Sequence, residues 1–263
     1  MRSVRTAAIL PVKRFSQAKQ RLGESVADGL RADLARAMVG DVLVALKAAT
    51  SIERTIVVTR EDAVARAAAY LGASVVADGA EQGQSAAVAL GVRSALDAGF
   101  GRVLCIPGDC PALDPVELDV LLASAPVQPV ADGEPATDGR PMADGQPDLG
   151  SQVVIVPDRH GTGTNGLLLT PPDAIAPSFG PDSCARHQAL AHDAGAGCRV
   201  ESVASLLLDI DTGADLAVLR ERLAGEHGRA ARTRVVLGLT SIVDRRRDPR
   251  AGAGVPLQAS RTG

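Results

Sequence analysis

Short apolar runs alternate with helical stretches along most of this chain, and that alternation constrains its fold more than any other feature. The runs are residues 4–10, "RTIVVT" at 54–59, "ASVVAD" at 73–78 and "GRVLCIPGD" at 101–109. The first helical stretch, 30–46, places Leu30, Leu34, Ala37, Met38, Val42 and Ala45 at helical spacing. "EDAVARAAAYLG" at 61–72 stops at Gly72, and the Ala-rich 84–98 stops at Gly99. A helix over 115–124 has Asp114 as its N-cap and Pro115 in its first position. The strands are continuously apolar rather than alternating, so both of their faces must be covered. The expected class is α/β, a mainly parallel mixed sheet with helices on both faces. "QVVIVPD" at 152–158 resumes the sheet, "VESVASLLLDID" at 200–211 supplies its last strands, and "TGADLAVLRERL" at 212–223 is a closing helix. With 46% hydrophobic but only 2% aromatic residues, the core must be built from Ala, Val, Leu and Ile.

Two segments leave the pattern. Residues 126–150 carry three Asp-Gly pairs and five prolines, which reads as an acidic insertion within a domain spanning 1–224. Residues 225–263 hold eight arginines and read as a basic, disordered tail, with "RTRVVLGLTSIV" at 232–243 as a short strand. Nucleic acid is not the expected partner of that tail, because it has no aromatic stacking residues. No stretch reaches the ~20 apolar residues of a membrane span. The opening run goes straight into charge without a cleavage site, so it reads as a strand and not a signal peptide. Cys105, Cys110, Cys184 and Cys198 show neither zinc nor disulfide spacing, consistent with reduced thiols and a cytoplasmic location.

In an open parallel sheet, ligands bind at the carboxyl ends of the strands. After the first strand come Lys13, Arg14, Lys19 and Arg21, in a chain of net charge −3. Cations at a helix entry suit a phosphate, although a solvated basic turn would carry the same residues. Neither a Walker loop nor a G-x-G-x-x-G fingerprint is present. "PGDCPAL" at 107–113 puts Asp109 at a strand end, and "LLLDIDTGADL" has Asp209 and Asp211 two apart, on one face if the segment is a strand. Three carboxylates there suit Mg²⁺, although Asp211 could equally cap the following helix. Gly161, Thr162, Gly163 and Thr164 precede a second element in which Gly180 leads to Ser183, a candidate cap for a helix over 185–194. Together these two halves read as a second anion site.

These residues fall into the segments "ILPVKRFSQAKQRL", "PGDCPAL", "PDRHGTGTNGLLL", "FGPDSCARH" and "DIDTGADL", whose order resembles the CofC/FbiD family. Its members are guanylyltransferases of coenzyme F420 biosynthesis. The resemblance covers roughly residues 4–223 and implies a nucleotide-diphospho-sugar transferase fold of the glycosyltransferase-A kind. It also implies a reaction of GTP with a phosphorylated three-carbon acid: phosphoenolpyruvate, 2-phospholactate or 3-phosphoglycerate. By motif position it assigns Thr164, Gly180 and Ser183 to the acid, and Asp109, Asp209 and Asp211 to Mg²⁺. Lys13, Lys19 and Arg21 would take the GTP phosphates, with Asp109 completing the catalytic set. Where the family has Leu-Asn near the nucleotide, this chain has Gln84-Ser85. A molybdopterin guanylyltransferase of the same fold would open with a Gly-rich loop that "ILPVKRF" lacks. A non-catalytic nucleotide-binding relative would have no reason to keep three strand-end aspartates.

Overall fold

A computed structural model describes residues 4–15, 22, 27–124, 150–225 and 229–239. Lys19, Arg21, nearly all of the 126–150 insertion and residues 240–263 lie outside the described residues.

The first half is a run of strand–helix units: β1 (Thr6–Val12), α1 (Asp28–Ala48), β2 (Arg54–Thr59), α2 (Asp62–Tyr70), β3 (Ser74–Ala77), α3 (Gln84–Asp97), β4 (Arg102–Cys105) and α4 (Pro115–Ser124). The second half holds β5 (Gln152–Pro157), β6 (Thr164–Thr170), α5 (Ser183–Asp193), β7 (Gly197–Val200), α6 (Gly213–Gly225) and α7 (Ala231–Val236). Seven strands form one sheet in the order β3-β2-β1-β4-β6-β5-β7. All neighbouring pairs are parallel except those of β6, which runs antiparallel to both β4 and β5. The expected mainly parallel mixed sheet is therefore what forms. The chain moves outward from β1 to β3 and then returns to place β4 on the other side of β1. That reversal opens a crevice at the carboxyl ends of β1 and β4.

The apolar strands are buried on both faces because successive side chains point opposite ways. Ala8, Leu10 and Val12 of β1 join Val39, Val42 and Leu46 of α1 and Leu118, Leu121 and Leu122 of α4 in one core layer. Ala7 and Ile9 join Val88 and Val92 of α3 and Cys184 and Ala191 of α5 in the other. Each fully buried Leu or Ile contributes about 1.5–3 kcal/mol. Gly91 lets α3 sit close on the sheet, since a Cβ there would lie 2.5 Å from Cγ2 of Ile9. Among the described residues, no helix is long and apolar enough to cross a membrane.

Three expectations about local structure are corrected. "VESVASLLLDID" supplies no strand beyond Val200; residues 201–212 cross the sheet's carboxyl edge without regular structure. They are apolar because Leu206, Leu208 and Ile210 are buried under the helices. The Gly-Thr-rich segment at 161–164, read as half of an anion site and not as the entry to a strand, leads into β6, whose Leu167 and Leu169 are wholly buried. Residues 231–236, which overlap the stretch at 232–243 read as a strand, are helical. Asp41 of α1 caps that helix: its two carboxylate oxygens accept from the N–H groups of Arg232 (3.0 Å) and Thr233 (2.8 Å).

Candidate active site

Loops from the carboxyl ends of the parallel strands and from the entry to β6 surround a cleft of about 830 Å³. Lys13, Asp109, Thr164, Gly180, Ser183, Asp209 and Asp211 all line it. The sheet order spreads them along one edge. The loops after β2 and β3 contribute Arg60, Asp78 and Glu81 at one end, those after β1 and β4 contribute Lys13 and Asp109 in the middle, and β6 with the start of α5 forms the other end.

The three aspartates converge. One carboxylate oxygen from each of Asp109, Asp209 and Asp211 lies within 4.8 Å of the others, and all three residues are partly buried. They meet without the shared strand face expected for Asp209 and Asp211. Instead the irregular segment is tied to the β4 loop by a hydrogen bond from the N–H of Ile210 to the carbonyl of Asp109 (3.2 Å). Asp211 does not cap α6. That role falls to Thr212 and Asp215: the Asp215 carboxylate accepts from the N–H groups of Asp211 and Thr212, and the Thr212 hydroxyl accepts from the Asp215 N–H (3.3 Å). Asp215 is held in turn by Arg159 at 2.6 Å. This reciprocal arrangement is a capping box with Asp in the usual Glu position.

Asn165 is a site residue that sequence reasoning missed. The β5–β6 register slips between Val156 and Pro157, leaving Asn165 as an extra residue on β6. Such a bulge re-aims a side chain. Here the Asn165 amide donates to the carbonyl of Leu206 (2.7 Å) and to Oδ1 of Asp209 (3.1 Å). Gly166 makes room for this turn of the strand, as a Cβ there would sit 2.9 Å from Cβ of Val156. Burial raises the Asp209 carboxyl above the usual carboxylate range, the charge of Asp109 adds to this, and the Asn165 hydrogen bond opposes it. Close carboxylates that repel one another in a half-buried site, with only oxygen donors, fit a hard divalent cation.

At the cation end the expected cluster divides. Lys13 is exposed on the cleft, whereas Arg14 pairs with Glu81 at 3.0 Å and Arg60 reaches the same carboxylate at 3.5 Å. Gln84 faces the cleft, and the Ser85 hydroxyl accepts from the N–H of Phe179 (2.9 Å), linking α3 to the loop that carries Gly180.

At the other end, Ser183 is not the cap of α5 but its first helical residue, and Asp182, with φ at 55°, precedes it. The helix start is less open than the sequence implied. The N–H of Ser183 bonds to the carbonyl of Gly180 and that of Cys184 to the carbonyl of Thr162 (3.0 Å), so the two expected halves of the anion site are joined. Gly180 adopts φ of 115°, which a side chain would strain. Thr164 and Ser183 are buried against this loop, and the Thr164 hydroxyl meets Nδ1 of His187 at 3.0 Å. Burial, reinforced by the charge of Arg186, pushes the His187 pKa down to about 4.

That depression has a consequence for stability. Between about pH 6.5 and 4 the unfolded chain takes up a proton that native His187 refuses. Stability should therefore fall as pH is lowered through that window. Thermal melts across it should show a shallower slope for His187→Phe than for the wild type; equal slopes would mean that another group is responsible.

Residues 6–133 match the family model described as "Guanylyl transferase CofC like". A phosphoenolpyruvate guanylyltransferase of Conexibacter woesei is 47% identical over 88% of this chain and 95% of its own length. One of Sphaerobacter thermophilus is 36% identical over 84% of this chain and 93% of its own. The fold is shared with a 4-diphosphocytidyl-2C-methyl-D-erythritol synthase of known structure, at a TM-score of 0.54 and 14% identity over 85% of this chain and all of that one. Such distant likeness speaks for the nucleotidyl transferase fold alone, but identity near one half across almost a whole relative speaks for more, and the chain belongs to the CofC-like guanylyl transferases, enzymes of the nucleotidyltransferase class.

Proposed function

We propose that this enzyme joins GTP to phosphoenolpyruvate, forming the guanosine diphospho-acid and releasing pyrophosphate. The observation that carries the reading is the adjacency of three converging carboxylates and the Thr164–Gly180–Ser183 pocket on one edge of the sheet. The choice of phosphoenolpyruvate over 2-phospholactate or 3-phosphoglycerate rests on the names of the similar proteins. The family resemblance supports a role for the product in coenzyme F420 biosynthesis.

The acid's phosphate oxygen attacks the α-phosphorus of GTP, and the bond from that phosphorus to the β-phosphate oxygen breaks. The nucleophile is already ionised near pH 7, so no general base is required, and the neutral, buried His187 is not asked to act as one. Catalysis then consists of positioning and charge neutralisation. Thr164, Gly180 and Ser183 hold the acid, while Lys13, with Lys19 and Arg21 from outside the described residues, meets the triphosphate. Asp109, Asp209 and Asp211 would hold Mg²⁺, which when bound offsets charge on the triphosphate and the leaving pyrophosphate. Pyrophosphate release measured with GTP and each of the three acids tests the assignment. The highest kcat/KM should belong to phosphoenolpyruvate, and turnover with none of the three would overturn it.

Ser183→Ala separates the two anion sites. Since Ser183 is not the cap, its loss should hardly lower the melting temperature. The KM for the acid should rise roughly tenfold, the worth of one charge-assisted hydrogen bond. The KM for GTP should move much less, and a change confined to GTP would refute the arrangement.

A further inference from the structure

His187 is wholly buried and makes two hydrogen bonds that together fix where its proton sits. The backbone N–H of Ser178 lies 3.0 Å from Nε2, and Oγ1 of Thr164 lies 3.0 Å from Nδ1. A backbone N–H can only donate, so Nε2 is an acceptor and carries no hydrogen. A neutral imidazole has a single N–H, which must then be on Nδ1. The Nδ1–H donates to Thr164, and the threonine oxygen is the acceptor. The depressed pKa of about 4 supports the neutral form at pH 7.

The threonine hydroxyl is thereby polarised in one direction. The imidazole N–H takes one of the two lone pairs of its oxygen, so the hydroxyl hydrogen is turned away from His187 and is donated elsewhere. Thr164 lines the cleft beside Gly180 and Ser183, where an acceptor can approach. We propose that His187 is a positioning residue that presents the Thr164 hydroxyl to the cleft as a donor, directed at an oxyanion of the phosphorylated acid. The inference rests on the proposed function and adds to it a device for selecting an anion at that position. The same ring also holds the loop carrying Gly180: it takes the Ser178 N–H and packs edge-on against Phe179, with centroids 5.1 Å apart. One buried side chain thus sets both the polarity of Thr164 and the approach of the loop opposite it. A histidine suits this place better than an amide, because its two ring nitrogens face opposite directions and can serve both partners at once.

The test uses the full chain, with GTP and phosphoenolpyruvate as substrates and pyrophosphate release as the readout. His187→Phe keeps the ring but removes both hydrogen bonds, and should raise the KM for the acid about tenfold, the worth of one charge-assisted hydrogen bond, with the GTP KM nearly unmoved. His187→Asn, whose amide nitrogen can occupy the place of Nδ1, should recover most of that loss. In a Thr164→Val background, His187→Phe should add much less than it does in the wild type, only what loss of the Ser178 hydrogen bond costs, because no hydroxyl is left to aim. A rise that persists undiminished in that background, or one shared equally by both substrates, would overturn the proposal. Nitrogen NMR of the wild-type imidazole decides independently of whether any variant folds: the proton is expected on Nδ1, and finding it on Nε2 would overturn the assignment. Wild-type turnover with phosphoenolpyruvate and an unmoved KM in His187→Phe would refute this inference alone. Absent wild-type turnover with every acid would refute the proposed function instead.

Discussion

Asp109→Asn should lower the rate of pyrophosphate release by at least ~10²-fold without unfolding the protein. The substitution keeps the shape of the side chain and removes one of three converging charges. What anchors the loop locally is the backbone, since the Asp109 carbonyl accepts from the N–H of Ile210 and an asparagine retains that bond. The charge matters to its neighbours as well. Asp109 is one reason the Asp209 carboxyl stands above the usual range, so in the variant Asp209 should ionise more readily. A structural role alone would predict a loss of melting temperature with activity falling in proportion. The cation-site reading predicts an unchanged melt and a demand for more Mg²⁺ to reach half-maximal rate. Undiminished turnover at ordinary Mg²⁺ would remove Asp109 from the site.

Much of the scaffold was legible because its signals are local. "RTIVVT" is strand β2 from its first residue to its last, and Asp114 with Pro115 starts α4 where the cap and the proline place it. The Asp114 carboxylate accepts from the N–H of Val116 at 3.0 Å, as a capping aspartate should. That Lys13 and Asp109 line the cleft was legible for a related reason: both follow strands, and the ends of parallel strands are where ligands collect. Features that depend on distant pairings were not. β6 begins inside Gly-Thr-Gly-Thr-Asn, which has turn chemistry, and its strand period is broken by the bulge at Asn165. Asn165 reaches Asp209 only because the sheet brings them together, and Thr164 meets His187 across 23 residues of chain. The carboxylates of Asp209 and Asp211 were placed together correctly but for an incorrect reason. A strand was inferred from apolar residues whose burial reflects the overlying helices.

The reading of residues 225–263 as a basic, disordered tail leads to the other large effect. Ending the chain after Gly225 should destabilise it severely, whereas ending it after Leu239 should leave stability and turnover nearly unchanged. Ala230 and Leu237 are buried in a cluster with Leu34, Met38, Leu208, Ile210, Leu216 and Leu219, and Val236 and Leu239 pack against it. Truncation at Gly225 exposes that cluster and leaves the carboxylate of Asp41, 6% exposed in the intact fold, without the two backbone N–H groups it now accepts from. It also removes Arg229, whose guanidinium lies 2.6 Å from Asp114 at the start of α4. Burial of one Leu and one Ala together with two charge-assisted hydrogen bonds amounts to roughly 5–10 kcal/mol before the entropy of ordering the segment is set against it, a large share of the 5–15 kcal/mol that typically holds a domain folded. The damage should reach the cleft, because Met38 lines it and Leu208 and Ile210 flank Asp209 in sequence. Thermal melts of the two truncated chains, with pyrophosphate release at low temperature, separate the possibilities. If the chain ending at Gly225 melted with the wild type, α7 would contribute nothing to the fold, and residues 1–224 would be a self-sufficient domain. A loss confined to that shorter chain would instead place the functional end of the domain near Leu239, with α7 as the element that braces α1 and the Asp209 segment from behind.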